Sequence, residues 1–160
     1  MGALIGGIYA IGKLDEFEEW IRALSTQDIF SLLDLSLQKS GLIKGDKINE
    51  TLRNLVGKTL IENLPIPFTA VAADIRAEKE IWLNKGPLFN AIRASISLPL
   101  FFTPFNHNGV LLVDGGGLNP VPIAPAFTEH TDLKIAVNLS GAVTGTKSVK
   151  RPIEPTLFPA

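Results

Sequence analysis

Apolar and polar positions change rhythm along the chain, and each rhythm predicts a different kind of element. Residues 1–11 are uncharged and mostly apolar or small, which predicts a buried helix with nothing before Met1 to cap it. A chain that starts inside a buried helix is expected to have lost its beginning. In residues 14–24, Leu14, Phe17, Ile21 and Leu24 recur on one helical face while Glu18 and Arg22 face water. Ser25 and Thr26 then offer caps for a short helix over residues 28–35. Asp46 caps a further helix over residues 47–56, with Gly57 as its stop.

Beyond Pro67 the rhythm alters. Residues 68–73 are almost continuously apolar, the form of a strand buried on both faces. A polar turn at 76–79 returns the chain as a short partner strand, 80–83, and Pro87 opens a helix that runs to Ser95. Residues 110–113 and 133–139 read as two more apolar strands, the first ending at Asp114. Helices alternating with buried strands predict an α/β sheet covered on both faces.

The 160 residues suffice for one domain with a sizeable core, and 46% hydrophobic content argues against disorder. Fifteen basic against sixteen acidic side chains leave a net charge of −1, which removes the electrostatic footprint of a general nucleic-acid binder. The absence of cysteine excludes a disulfide scaffold, a thiolate zinc site and a cysteine nucleophile. It also suits the cytosol. The uncharged start has no basic n-region, and Lys13 ends it short of the roughly 20 residues of a membrane span. Gly2 and Gly6, at small-x-x-x-small spacing, are read as packing a short helix closely onto a sheet.

Three stretches carry candidate chemistry. In Val113-Asp114-Gly115-Gly116-Gly117 an acid closes a buried strand and glycines come at once after it. Open α/β sheets keep their active sites at such strand ends. The same residues also fit a plain turn in which Asp114 bonds its own backbone, or an anion nest of glycine amides. In Ala94-Ser95-Ile96-Ser97-Leu98-Pro99, neither serine stands in a G-x-S-x-G elbow, so Ser95 is read as a helix end and Pro99 as fixing the next loop. The loop 98–105 carries Leu98, Leu100, Phe101, Phe102 and Phe105, which fit either core or a wall for acyl chains. The third stretch is the start, where small residues enter a helix as they do just after the serine of a nucleophile elbow. His107 and His130 lie in turn-like and polar stretches and are read as solvated.

Taken in order, these pieces resemble the patatin-like phospholipase family, bacterial proteins related to plant patatin and to neuropathy target esterase. Met1-Gly2-Ala3-Leu4-Ile5-Gly6-Gly7 is similar to the stretch after Gly-Thr-Ser in the family's G-x-S-x-G block. Ala91-Ile92-Arg93-Ala94-Ser95-Ile96-Ser97-Leu98-Pro99 resembles its A-S-x-x-x-P block, and Leu112-Val113-Asp114-Gly115-Gly116-Gly117-Leu118-Asn119-Pro120-Val121-Pro122-Ile123 its D-G-G/A block. The resemblance implies a patatin-like three-layer α/β/α sandwich, incomplete at the N-terminus, with residues 1–160 forming the C-terminal portion of one hydrolase domain.

The resemblance further implies hydrolysis of lipid esters by a Ser-Asp dyad through an acyl-enzyme, without cofactor or metal. Asp114 carries over as the dyad aspartate, and Gly115 and Gly116 as its active-site loop. The serine is expected immediately before Met1 and the oxyanion loop further upstream. The chain is therefore expected to be an interior piece of a longer enzyme, inactive alone, with an end at 152–160 that lacks a closing element. The implied partner is a lipid or ester substrate, with peripheral membrane contact and no nucleic acid. Two other functions stay open: a non-catalytic, lipid-binding or regulatory relative, and a small-molecule or phosphate-binding domain using the glycine nest.

Overall fold

The computed structural model describes residues 1–34, 41–128 and 130–139. Its helices are α1 (Gly2–Ala10), α2 (Leu14–Ala23), α3 (Thr26–Leu32), α4 (Asp46–Val56) and α5 (Leu88–Ser95). Its strands are β1 (Gly41–Ile43), β2 (Ala70–Asp74), β3 (Lys79–Leu83), β4 (Leu100–Phe102), β5 (Phe105–His107) and β6 (Val110–Asp114). The fold is α/β. A four-stranded antiparallel sheet has the order β3-β2-β6-β5, and β1 pairs with β4 in a separate parallel ribbon.

β2 is central, with β3 on one side and β6 on the other. Ala70 and Ala72 face a helical core that includes Leu4 and Ile8 of α1, Phe17 of α2, Leu52 of α4, and Leu88 and Ile92 of α5. Val71 and Ala73, on the opposite face, are also buried. That double burial is why 68–73 reads as an unbroken apolar run. Asp74 closes the turn to β3, its Oδ1 accepting from Arg76 N–H at 2.9 Å and Ala77 N–H at 3.2 Å.

α1 is buried on one side only, through Leu4, Gly7, Ile8 and Ala10, while Ile5 and Tyr9 are exposed. Gly7 is the glycine that lets α1 approach a neighbour, a Cβ there lying 2.8 Å from Ile92 Cδ1 and 3.2 Å from Leu88 Cδ1 of α5, whereas a Cβ on Gly6 would meet Phe68 Cε2 at 3.8 Å and one on Gly2 nothing within 4 Å. In α2 Phe17 is buried and Trp20 packs on the core, whereas Leu14 and Ile21, expected on the Phe17 face, are exposed; Arg22 Nε donates to Glu18 Oε1 at 2.8 Å. Ser25 caps α3 in a capping box with Asp28. The predicted end of that helix, Leu35, and residues 152–160 lie outside the described residues.

Two expectations need correction. Asp46 is the first residue of α4, and Gly45 is its cap. The capping carboxylate comes from Asp34, which accepts from the N–H groups of Gly45 (2.7 Å), Asp46 (3.0 Å) and Lys47 (3.3 Å). A carboxylate supplied from a distant segment leaves no local spacing to read. The second correction is larger. Residues 133–139 form no strand, and Leu133, Ile135, Val137 and Leu139 are exposed. An apolar run becomes a strand only when its backbone groups find a partner ladder, and here no described strand pairs with it. The approach, with Pro120, Pro122 and Pro125, lacks the N–H groups to join the sheet.

Candidate functional site

Asp114 is the last residue of β6, and the three glycines after it make a 3-10 turn, Gly115–Gly117. Its backbone N–H donates to the Ser97 carbonyl at 2.9 Å. Oδ1 of its carboxylate accepts from Gly116 N–H at 2.8 Å, and among the described residues Oδ2 accepts no hydrogen bond. The self-bonded turn is thus present, yet half of the carboxylate stays unpaired. Gly116 gives Asp114 an amide that an anion nest would use. The turn closes on the Gly115 carbonyl, which accepts from Leu118 N–H (3.1 Å) and Asn119 N–H (3.0 Å).

Gly115 is fixed by contact. A Cβ there would stand 2.5 Å from the Val71 carbonyl oxygen and 2.8 Å from its carbon, closer than atoms pack. Ser95 Oγ donates to that same carbonyl at 2.7 Å. The end of α5, the middle of β2 and the glycine turn therefore meet at one peptide group.

Ser97 is wholly buried, its hydroxyl donating to the Arg93 carbonyl at 2.7 Å and accepting from Arg93 Nη1. With their protons committed to backbone carbonyls, Ser95 and Ser97 are structural, as their place outside an elbow suggests. Arg93 is the residue that sequence reasoning missed. It is 3% exposed, its Nη2 donating to the Lys44 carbonyl and to the carbonyl (2.9 Å) and hydroxyl (3.3 Å) of Thr103. Its guanidinium lies 5.4 Å from the Phe102 ring centroid, and Nε has no hydrogen-bond partner among the described residues. Burial pulls its pKa down, and the charges of Asp46 and Asp34 push it back up. A lone charge between Ile92 and Ala94 on an apolar helix was the signal available for it.

The loop 98–105 is core only in part. Phe105 packs on the core and Phe102 lies beside Arg93, while Leu98, Leu100 and Phe101 are exposed. His107 pairs with Val110 at the far end of β6, roughly 13 Å along the strand from Asp114 at ~3.3 Å per residue. Asn119 anchors the chain after the turn, its Nδ2 donating to Glu80 Oε1 at 2.6 Å. Trp82 Nε1 donates to Glu80 Oε2 at 3.0 Å, and these two bonds hold the Glu80 carboxyl below its ordinary pKa.

An apolar cleft of about 900 Å³ is lined by Thr69, Val71, Val121, Phe127, His130 and Ile135, among others. It lies on the Val71 face of the sheet. Strand alternation puts Asp114 with Leu112 and Ala72 on the other face, and Asp114 is not among the cleft's lining residues. The cleft is therefore a separate feature from the aspartate turn.

The sequence profile of patatin-like phospholipases matches residues 1–127. An NTE family protein of Mycobacterium tuberculosis is 47% identical over 145 residues, 91% of this chain and 40% of the relative. A patatin-like phospholipase domain-containing protein of Caenorhabditis elegans is 34% identical over 129 residues, 76% of this chain and 10% of the relative. Neuropathy target esterase of Drosophila grimshawi is 30% identical over 129 residues, covering 76% of this chain and 9% of that protein. The chain thus spans 40% or less of the length of these relatives. With most of its length under the family profile, and with the Asp-Gly-Gly turn at the end of a buried strand, the chain belongs to the patatin-like phospholipase family.

Proposed function

We propose that this chain is the aspartate-bearing part of a lipid acyl hydrolase that cleaves carboxylic esters with a Ser-Asp dyad, Asp114 being the base. The observation that carries the reading is the Asp114 carboxylate, held through Oδ1 by Gly116 N–H at a strand end while Oδ2 has no partner among the described residues. A base needs such a free oxygen on a fixed group. The serine and the oxyanion-binding loop belong to a segment upstream of Met1 in the longer protein. There the serine hydroxyl attacks the ester carbonyl and Asp114 takes its proton. Backbone N–H groups stabilise the tetrahedral oxyanion, and the protonated Asp114 returns the proton to the leaving alcohol. Water, deprotonated by Asp114, then attacks the acyl-serine, and Asp114 returns the proton to the departing serine oxygen as the fatty acid leaves. Gly115 and Gly116 keep the loop tight enough for this geometry.

Contact with a lipid surface belongs to the same reading. Leu98, Leu100 and Phe101 are exposed directly after Ser97, the residue that bonds the Asp114 backbone. Among the described residues no helix is long and apolar enough to cross a membrane.

The test uses a longer polypeptide in which this sequence is joined to the upstream segment of the M. tuberculosis relative. Asp114→Asn and Asp114→Ala should each lower kcat on a lipid ester by a factor on the order of 10²–10⁴, with KM little changed. Near-normal turnover in Asp114→Asn sinks the dyad. Lipid binding without hydrolysis by the unsubstituted polypeptide favours a non-catalytic relative. The 160-residue chain alone is expected to show no turnover above background.

A further inference from the structure

We infer that Arg93 is a positioning residue for Asp114, acting through Ser97, an inference that rests on Asp114 being the base. Outside its own sheet and its own turn, the Asp114 main chain makes one hydrogen bond among the described residues, its N–H donating to the Ser97 carbonyl at 2.9 Å. Ser97 lies just beyond the end of α5, its N–H donating to the Ala94 carbonyl at 3.2 Å. Its side chain is held by Arg93, whose Nη1 donates to the Ser97 hydroxyl and whose carbonyl accepts a hydrogen bond from it. The other arm of the guanidinium reaches Lys44, just past β1, and Thr103, just past β4. One planar fork therefore staples the parallel ribbon to the turn that carries the Asp114 backbone.

The chemistry of the fork matters. A guanidinium places several donors in a rigid plane, whereas an ammonium is a point charge on a flexible stem. Burying this charge with Nε unpartnered costs free energy that an apolar side chain in α5 would avoid. The return is geometric: a base displaced by about 1 Å loses up to ~10²-fold in rate.

The experiment compares Arg93→Lys, Ser97→Ala and their double variant with Ile61→Val, a core change off this path, all in the longer polypeptide. Active sites are counted with a fluorophosphonate so that kcat refers to folded enzyme only. Arg93→Lys and Ser97→Ala should each lower kcat about 10–100-fold with KM within about twofold. The Asp114 amide should exchange with solvent faster in both. The double variant should be no worse than the poorer single one, because both act on one path. Ile61→Val should lower Tm and leave kcat per site unchanged. If Ser97→Ala lowers Tm but keeps kcat per site, Arg93 is only a structural staple and the inference is overturned. Ser97→Ala decides alone if Arg93→Lys does not fold. Asp114→Asn runs alongside: turnover there retires the dyad, whereas normal Ser97→Ala beside an inactive Asp114→Asn retires only the positioning role.

Discussion

Val71 and Val137 sit in runs of similar apolar character, yet Val71 is 8% exposed and Val137 is 72% exposed. Around Val71 the backbone is paired on both sides, to Trp82 and its neighbours on β3 and, from Ala72 onward, to β6. Around Val137 no described strand forms a ladder, and the residue lines the apolar cleft. Apolar side chains supply a driving force for burial in both places. Only β2 also has partners for its N–H and C=O groups, without which burial would cost more than it returns. The difference lies in the neighbours rather than in the run.

The largest expected effect comes from putting the same charge into both runs. Ala72, with no exposed surface, sits between β3, β6 and the helical core. Ala72→Asp buries an unpaired carboxylate in a filled space, at a cost above roughly 3 kcal/mol. Circular dichroism should show loss of the cooperative melting transition. A stable, cooperative Ala72→Asp would mean that β2 is as loosely held as residues 133–139.

Next comes Gly115→Ala, which probes how closely β2 is approached from the aspartate turn. The added methyl meets the Val71 carbonyl at 2.5 Å, a backbone atom that moves only with the strand. Overpacking of this kind costs about 1–3 kcal/mol. Urea unfolding should show a lower midpoint at an unchanged slope. An unchanged midpoint would place the turn farther from β2 than van der Waals contact.

How far the sequence reveals the fold depends on the same division. α2 is legible from its period, α5 from its proline, α1, β2 and β6 from unbroken apolar runs, and β3 from the polar turn before it. The ribbon of β1 and β4 is not, since three-residue strands are too short for any period. The Asp34 cap of α4 and the Arg93 fork are hidden for another reason: their partners come from remote positions that no local pattern encodes. Within the candidate site, Asp114 and its glycines are legible from the strand-acid-glycine order. The serines behind them show their structural role only once their hydroxyls are seen bonded to Val71 and Arg93.

A smaller effect concerns the tie between the sheet and the chain that leads toward residue 133. Glu80 on β3 accepts from Asn119 and Trp82, and its pKa is lowered chiefly by the Trp82 bond and then by the Asn119 bond. Because the folded value is depressed, its stabilisation is complete above the ordinary carboxylate pKa, near ~4.3. It is lost as pH falls through the folded value. Tm of the unsubstituted chain should therefore drop on acidification below about 4.3. In Glu80→Gln, Tm should start lower at neutral pH and fall by less. Parallel acid profiles for the two would mean that Glu80 contributes nothing to this tie.

The smallest effect is expected in the run around Val137. Leu133, Ile135 and Val137 are exposed and outside any ladder, so charge placed on them meets water rather than a core. Ile135→Lys or Val137→Lys in the 160-residue chain should change stability by no more than about 0.5 kcal/mol, as substitutions on open surface do. Each should also raise solubility, since a row of exposed apolar side chains favours association. Urea unfolding and sedimentation of the same samples read both quantities. A loss above about 1 kcal/mol would show that the stretch is packed after all, despite its exposure. A loss found in the longer polypeptide but not in the 160-residue chain would have a different meaning. It would show that Ile135 and Val137 acquire a partner from outside these residues, and that the run then behaves as β2 does once its neighbours are in place.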